Sequence, residues 1–169
     1  RLRSYCMYRL LRQMLKTEVL DVSFDQNGRP LLPEFRHQIS LSHSGNIVAV
    51  ALSPQKMSVD VEQVNERILQ LKSEKWLTKY EQFLARLLPP KKQIRYLTKI
   101  WTQKECYLKF MGLSLTSMYS EGAIDFAKLP MEFSFAPKFV RDIYGNKYCL
   151  TLCTVGAVWI VAKRVKDII

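Results

Sequence analysis

Residues 46–62, Asn-Ile-Val-Ala-Val-Ala-Leu-Ser-Pro-Gln-Lys-Met-Ser-Val-Asp-Val-Glu, read as two consecutive strands, 46–52 and 56–62, joined at Ser53-Pro54. Apolar and β-branched residues dominate both runs, and the Ser-Pro pair interrupts extension between them. In the second run Val59 and Val61 alternate with Asp60 and Glu62. A strand repeats every two residues, so the valines enter a core while both carboxylates share the other face. Two like charges on neighbouring same-face positions repel. Either a solvated edge dilutes that repulsion or a cation offsets it. Mg²⁺ accepts all-oxygen ligands and leaves positions for phosphate oxygens, which suits such a pair.

Working outward, Met7, Leu10, Leu11 and Met14 recur at helical spacing and predict an amphipathic helix. Thr17–Phe24 reads as a strand entering a turn at Asp25-Gln26-Asn27-Gly28. Downstream, the pattern from Asn65 to Leu88 is helical, with Thr78 and Glu81 spaced as a capping box. After Pro89-Pro90 a longer helix is expected over Ile94–Met111, closed by Gly112, and the chain from Met131 onward is strand-like. The uncharged stretch Tyr148–Ala162 reads as two buried strands and is too short to span a bilayer. Helix-plus-strands thus occurs twice without a Gly-, Ser- or Pro-rich linker. The expected architecture is one α+β domain of two similar α/β lobes, residues 1–62 and 63–169.

The 169 residues, 48% hydrophobic and 24% charged, suffice for a packed core and exclude low-complexity and repeat architectures. Twenty-six Lys and Arg against fifteen Asp and Glu leave +11, which calls for an acidic partner without choosing one. Cys6, Cys106, Cys149 and Cys153 lack CxxC spacing and accompany only two His, so buried thiols in a reducing cytosol are expected rather than zinc. The chain opens at Arg1 without an initiator Met, leading to the expectation that residues precede it.

Two further clusters carry chemistry. In Trp101-Thr102-Gln103-Lys104-Glu105-Cys106-Tyr107-Leu108-Lys109, Glu105 and Lys109 stand at i and i+4 with Trp101 one turn earlier. A surface ion pair is the plain alternative to a site. Ser40-Leu41-Ser42-His43-Ser44-Gly45 reads as a turn between strands, where hydroxyls, an imidazole and free amides either hold a phosphate or cap the turn.

Taken in order, GRP at 28–30, SLSHSG at 40–45, SVDVE at 58–62 and WTQKECYLKFMG at 101–112 resemble the 4'-phosphopantetheinyl transferases of the surfactin-synthetase-activating type. Their motifs run G-K-P, (F-N)-x-S-H-S-G, G-x-D-x-E and W-(S/T)-x-K-E-(A/S)-x-x-K-x-x-G. The resemblance covers the chain from the opening helix to about Leu115. It implies two lobes related by a pseudo-twofold axis, with the active site where they abut. It also implies transfer of the 4'-phosphopantetheine arm from coenzyme A to a carrier-protein serine, as a holo-carrier-protein synthase, releasing adenosine 3',5'-bisphosphate.

By the same resemblance Asp60, Glu62 and Glu105 are the Mg²⁺ ligands, and Glu105, or a water it holds, accepts the serine proton. Lys109 faces the displaced phosphate, and Ser42 with His43 binds the phosphate region. Gly28, Arg29 and Pro30 form the loop beside the adenine, and Arg3 meets the 3'-phosphate. Lys104 faces solvent, the carrier or a phosphate. Trp101 packs the core, Glu81 caps a helix and His37 is surface or structural. The carrier is expected to dock on residues 113–140, with Met111, Leu113, Leu115 and Met118 either lending apolar contacts or buried. Ser58 replaces the usual Gly, Arg29 the usual Lys, and Ile39-Ser40 the usual Phe-Asn.

The reading is therefore a cytoplasmic, monomeric enzyme that takes coenzyme A and an acidic acyl or peptidyl carrier protein, not nucleic acid or membrane. A basic nucleic-acid-binding module and a metal-dependent phosphoester hydrolase are the alternatives.

Overall fold

A computed structural model describes residues 2–26, 28–130 and 132–155. Helix α1 (Leu2–Leu15) buries Leu11 completely against Leu32 and Ile39 and ends where Lys16 turns left-handed at φ 54°. Met14 is 45% exposed, so the apolar stripe read from the sequence buries only its centre. Of the predicted strand 17–24 only β1 (Ser23–Phe24) forms, paired with β2 (Pro30–Leu31). A two-residue ladder holds few side chains on a common face, and the segment packs instead through Leu20 and Val22.

The next two strands, β3 (Gln38–Ser44) and β4 (Ile47–Ser53), make a seven-pair antiparallel hairpin. Their two-residue turn is Gly45-Asn46, with Gly45 at φ 51° in the first central position, where glycine is the residue that adopts it without strain. The expectation of a turn over residues 40–45 is corrected here: Ser40 to Ser44 lie within β3, and only Gly45 turns. Strand β5 (Met57–Gln63) follows after Ser53-Pro54 as predicted, but does not pair with β4. Its backbone partner is β7 (Lys147–Val155), which also pairs with β6 (Phe133–Arg141), giving the antiparallel order β5-β7-β6. The expected boundary after residue 62 falls near the end of β5, which pairs with β7. Tyr148–Val155 lies within the single strand β7, and the rest of the predicted stretch, residues 156–162, lies outside those described. Pro137 sits on edge strand β6, where its missing N–H leaves no central ladder unmade.

Between β5 and β6 the chain is mainly helical: α2 (Ser73–Trp76), α3 (Lys79–Arg86), α4 (Pro90–Met111) and α5 (Leu115–Glu121). The capping box forms as read, with Thr78 and Glu81 each accepting the other's backbone N–H. Helix α4 begins four residues earlier than periodicity suggested. Pro90 occupies the first turn, where its fixed φ is favourable and its absent N–H costs nothing. Gly112 closes it at φ 75°. The α4 core face packs Leu97, Ile100, Trp101 and Leu108 against Trp76, Leu77, Ala85 and Met118. Trp101 meets Trp76 edge-on at 5.1 Å, so its packing role stands. Met118 is 1% exposed and belongs to this core, whereas Met111, Leu113 and Leu115 are 40–44% exposed. Cys106, Cys149 and Cys153 are buried thiols without disulfides, as expected, and Cys6 is half-buried.

Candidate functional site

Four elements, α1, β3, β5 and α4, meet around one small cavity. β5 directs Val59 and Val61 into a core with Ala49 and Tyr148, and that orientation sends Ser58, Asp60 and Glu62 to the face covered by α4 and flanked by β3. The solvated-edge alternative for Asp60 fails, because the residue is 1% exposed.

β3 lies beside β5 without a backbone ladder. Instead, the hydroxyls of Ser40, Ser42 and Ser44 accept the N–H groups of Val59, Val61 and Gln63 at 3.0, 3.2 and 3.0 Å. The same period of two that aligns the serines aligns the three amides. The hydroxyls also donate onward, Ser42 to Asp60 Oδ1 and Ser44 to Glu62 Oε2, both at 2.8 Å. The serines thus lie in a strand rather than capping a turn, and they join the hairpin to the acidic strand. The alternation Ser-x-Ser-x-Ser was visible in the sequence, but its partner strand was not.

From α4, Glu105 and Lys109 reach the cleft one turn apart. Lys109 bonds Asp60 Oδ1 at 2.5 Å and Ser42 Oγ at 3.2 Å, so its ion pair is with β5 rather than with Glu105 on its own helix. Ser58 fits the close approach of β5 to α4: its hydroxyl donates to the Cys106 carbonyl at 2.6 Å, and burial pushes the Cys106 thiol up so that it stays neutral. The cavity, about 250 Å³, is lined by Met7, Leu41, Ser42, His43, Asp60, Glu62, Glu105 and Lys109.

One carboxylate oxygen each from Asp60, Glu62 and Glu105 falls within a mutual 4.8 Å. Burial, reinforced by the Asp60 charge, pushes Glu105 up to about 8. Burial also raises Glu62, with Asp60 adding to it against the hydrogen bond from Ser44. For Lys109 burial works in the opposite sense, but Asp60 and Glu105 outweigh it and hold the ammonium above the ordinary lysine range. The cluster has more negative charge than one lysine neutralises. Moreover, the buried Asp60 Oδ2 has no hydrogen-bond partner among the described residues. An all-carboxylate donor set with an unpartnered oxygen fits a hard divalent cation such as Mg²⁺.

The remaining predicted residues are not part of this lining. Gly28, Arg29 and Pro30 lie on the β1–β2 hairpin, where the Arg29 guanidinium donates to Gln38 Oε1 at 3.0 Å and its N–H to Asp25 Oδ1 at 2.8 Å. Gln38 opens β3, so the hairpin is tied to the strand that carries Ser42 and His43. Arg3 lies one helical turn before Met7 and shares its face of α1. A larger groove of about 740 Å³ runs along the other face of α1, lined by Tyr8, Arg9, Arg12 and Lys16 among others; it gathers cations rather than the acidic cluster. His37 is half-buried, with Nδ1 unpartnered among the described residues.

Lys104 requires a correction. It faces neither solvent, carrier nor phosphate; its side chain is fully buried and its ammonium bonds Glu81 Oε2 at 2.5 Å and the Trp76 carbonyl at 2.6 Å. Successive helix residues point about 100° apart. Lys104 therefore grips α2 and α3 while Glu105 enters the cleft. Two contacts could not be read from the sequence. Tyr148 Oη accepts the Asn46 N–H at 3.2 Å and donates to Asp142 Oδ2 at 3.1 Å, anchoring the β3–β4 turn against the β6–β7 turn.

A family model, that of the 4'-phosphopantetheinyl transferase superfamily, matches residues 57–156, more than half of the chain. The match begins at β5 and includes Asp60, Glu62, Glu105 and Lys109. No curated protein matches the chain in sequence.

Proposed function

The chain belongs to the 4'-phosphopantetheinyl transferase superfamily, and from that premise we propose that it acts in the manner of the surfactin-synthetase-activating members. In this reading it moves the 4'-phosphopantetheine arm of coenzyme A onto a serine of an acyl or peptidyl carrier protein. The observation that carries the reading is the convergence of Asp60 and Glu62 from β5 with Glu105 from α4, beside Lys109, around a cavity.

Asp60, Glu62 and Glu105 would hold Mg²⁺, which when bound supplies neutralising charge to the coenzyme A pyrophosphate. Asp60 can contribute Oδ2 to that ion while Oδ1 keeps Lys109 in place. The serine oxygen attacks the phosphorus next to the pantetheine arm, and the P–O bond to the nucleotide breaks. Adenosine 3',5'-bisphosphate leaves with the electron pair. Glu105, or a water it holds, takes the serine proton. Lys109 is kept cationic by Asp60 and Glu105, so it is charged where negative charge develops on the departing phosphate. Ser42 and His43 bind the phosphate region, Gly28, Arg29 and Pro30 flank the adenine, and Arg3 meets the 3'-phosphate.

The two-lobe, pseudo-twofold arrangement, with the site where the lobes abut, belongs to the same proposal, as do a monomeric state, a cytoplasmic location and an acidic carrier. Net charge +11 favours encounter with two anionic substrates, an effect that fades with salt. No helix among the described residues is long and apolar enough to cross a membrane. A nucleic-acid-binding module gives no account of three carboxylates facing one cavity, since they repel phosphates without a cation.

The test is incubation with coenzyme A, Mg²⁺ and an apo-carrier, followed by intact mass. The carrier should gain about 340 Da, the mass of one phosphopantetheine arm, and Glu105→Gln should abolish the gain without unfolding the protein. Phosphoester hydrolysis with no such gain would replace the reading by the hydrolase alternative.

A further inference from the structure

Among the described residues the β3–β4 hairpin shares no backbone ladder with β5, and side chains set where its turn sits. Two of them grip the turn, one on each side of Gly45. Ser44, just before it, accepts the Gln63 N–H at 3.0 Å and donates to Glu62 Oε2 at 2.8 Å. Tyr148, fully buried with Val59 and Val61 on the apolar side of β5, accepts the N–H of Asn46, just after it, at 3.2 Å. In the β5–β7 ladder Tyr148 stands opposite Gln63, one register position from Glu62. The phenol is itself oriented. It donates to Asp142 Oδ2 at 3.1 Å, while Asp142 Oδ1 accepts the N–H groups of Tyr144 and Asn146, both at 2.9 Å. Gly45 leaves room for this approach, since a Cβ there would lie 2.6 Å from Tyr148 Oη.

We infer that Tyr148, oriented by Asp142, is a positioning residue for the carboxylate site: by holding the Asn46 N–H it keeps the turn seated, and with it Ser44 on Glu62 and His43 at the cavity wall. The inference rests on the transferase reading above for what Glu62 and His43 bind. A phenylalanine would fill the same core space without an oxygen to satisfy. Here the oxygen is used, and it ties down the one turn that follows directly on two residues of the site. Groups that orient a ligand's carboxylate are worth about ten- to a hundredfold in metal affinity, and Tyr148 acts one contact further out.

The experiment compares wild type, Tyr148→Phe, Ser44→Ala, the double variant and Asp142→Ala, the last a turn residue whose change spares the core. Amide exchange at Asn46 and Gln63, calorimetric titration with Mg²⁺ alone, and transfer kinetics at varied coenzyme A are measured. Tyr148→Phe should speed exchange at both amides and weaken Mg²⁺ binding about three- to tenfold, the equivalent of one net hydrogen bond. The KM for coenzyme A should rise by a similar factor, while kcat at saturating Mg²⁺ and coenzyme A stays within about twofold, because Glu105 and Lys109 are placed by α4. Asp142→Ala should move the same quantities in the same direction. Ser44→Ala should weaken Mg²⁺ about tenfold or more. Adding Tyr148→Phe to it should cost no more than about twofold further, since the tyrosine reaches Glu62 through the serine.

Faster exchange at Asn46 with unchanged Mg²⁺ affinity in Tyr148→Phe would overturn the inference, and so would unchanged exchange at Asn46. Losses of Mg²⁺ affinity that add in the double variant would trace the effect to packing at large and overturn it as well. Absence of Mg²⁺ binding by wild type would have the same consequence. The expected pattern in exchange and Mg²⁺ binding, without phosphopantetheine transfer by wild type, would keep the positioning role and overturn the transferase. Transfer by wild type with Mg²⁺ affinity and KM unchanged in every variant would do the reverse.

Discussion

Replacing Lys104 by methionine keeps a long unbranched side chain and removes one ammonium. That ammonium is fully buried and holds Glu81 Oε2 at 2.5 Å and the Trp76 carbonyl at 2.6 Å. Without it the Glu81 carboxylate, 12% exposed, keeps only the Thr78 N–H as a donor. Removing one partner of a buried pair leaves an uncompensated charge and costs about 3–5 kcal/mol. For a domain of this length each kcal/mol moves Tm by about 2–4 °C, so the single variant should melt about 6–20 °C lower. Adding Glu81→Gln removes the stranded charge while its amide oxygen still accepts the Thr78 N–H. The double variant should therefore recover most of the loss, with a coupling of about 2–3 kcal/mol. Thermal melts and urea unfolding of wild type, both single variants and the double variant measure this. A drop below about 2 °C for Lys104→Met would mean the pair is not desolvated, and a double variant no better than the single would trace the loss to packing; either result refutes the reasoning.

Three other outcomes follow from the geometry. Gly45→Ala would bring a Cβ to 2.6 Å from Tyr148 Oη at a backbone φ of 51°, so it should destabilise by about 1–3 kcal/mol and be partly rescued by Tyr148→Phe; an unchanged Tm would refute that contact. Ser42→Ala strips the Val61 N–H of its acceptor and Asp60 of a donor, so stability should fall by about 1–3 kcal/mol and amide exchange at Val61 should accelerate; wild-type exchange would show that the hydroxyl does not bridge the strands. Burial and Asp60 hold Glu105 up to about 8, so below that pH a metal must displace its proton. Mg²⁺ affinity should therefore climb with pH, by up to about tenfold per unit, and level off above about 8, whereas calorimetry showing pH-independent binding and no proton release would exclude Glu105 from the site.

Helix α4, the capping box and the placement of both β5 carboxylates on one face were legible because each depends on residues within a few positions. Thr78 and Glu81 close their box within one turn, and the alternation of Val59, Asp60, Val61 and Glu62 needs only a strand. Lys104 was misread for the opposite reason: its partner is 23 residues away, and a lysine beside a catalytic-looking glutamate has no local sign that it will be buried. Ser40, Ser42 and Ser44 were assigned to the wrong element because hydroxyls next to a glycine look alike in a turn and in the strand leading into it. The two-residue β1 marks the same limit, since propensity over 17–24 was overridden by packing.

What the sequence determined alone was periodicity, and with it the residues that could share a face: carboxylates on β5, and Glu105 and Lys109 on α4. Which faces meet was decided in three dimensions. The pairing of β5 with β7, the serine contacts from β3 and the crossing of α4 bring carboxylate oxygens from positions 60 and 105 into one 4.8 Å cluster. Local hydrogen bonding and side-chain alternation are properties of neighbours along the chain. Convergence of distant charges depends on burying apolar surface between elements, which sets the distances at which those charges repel, pair or hold a cation.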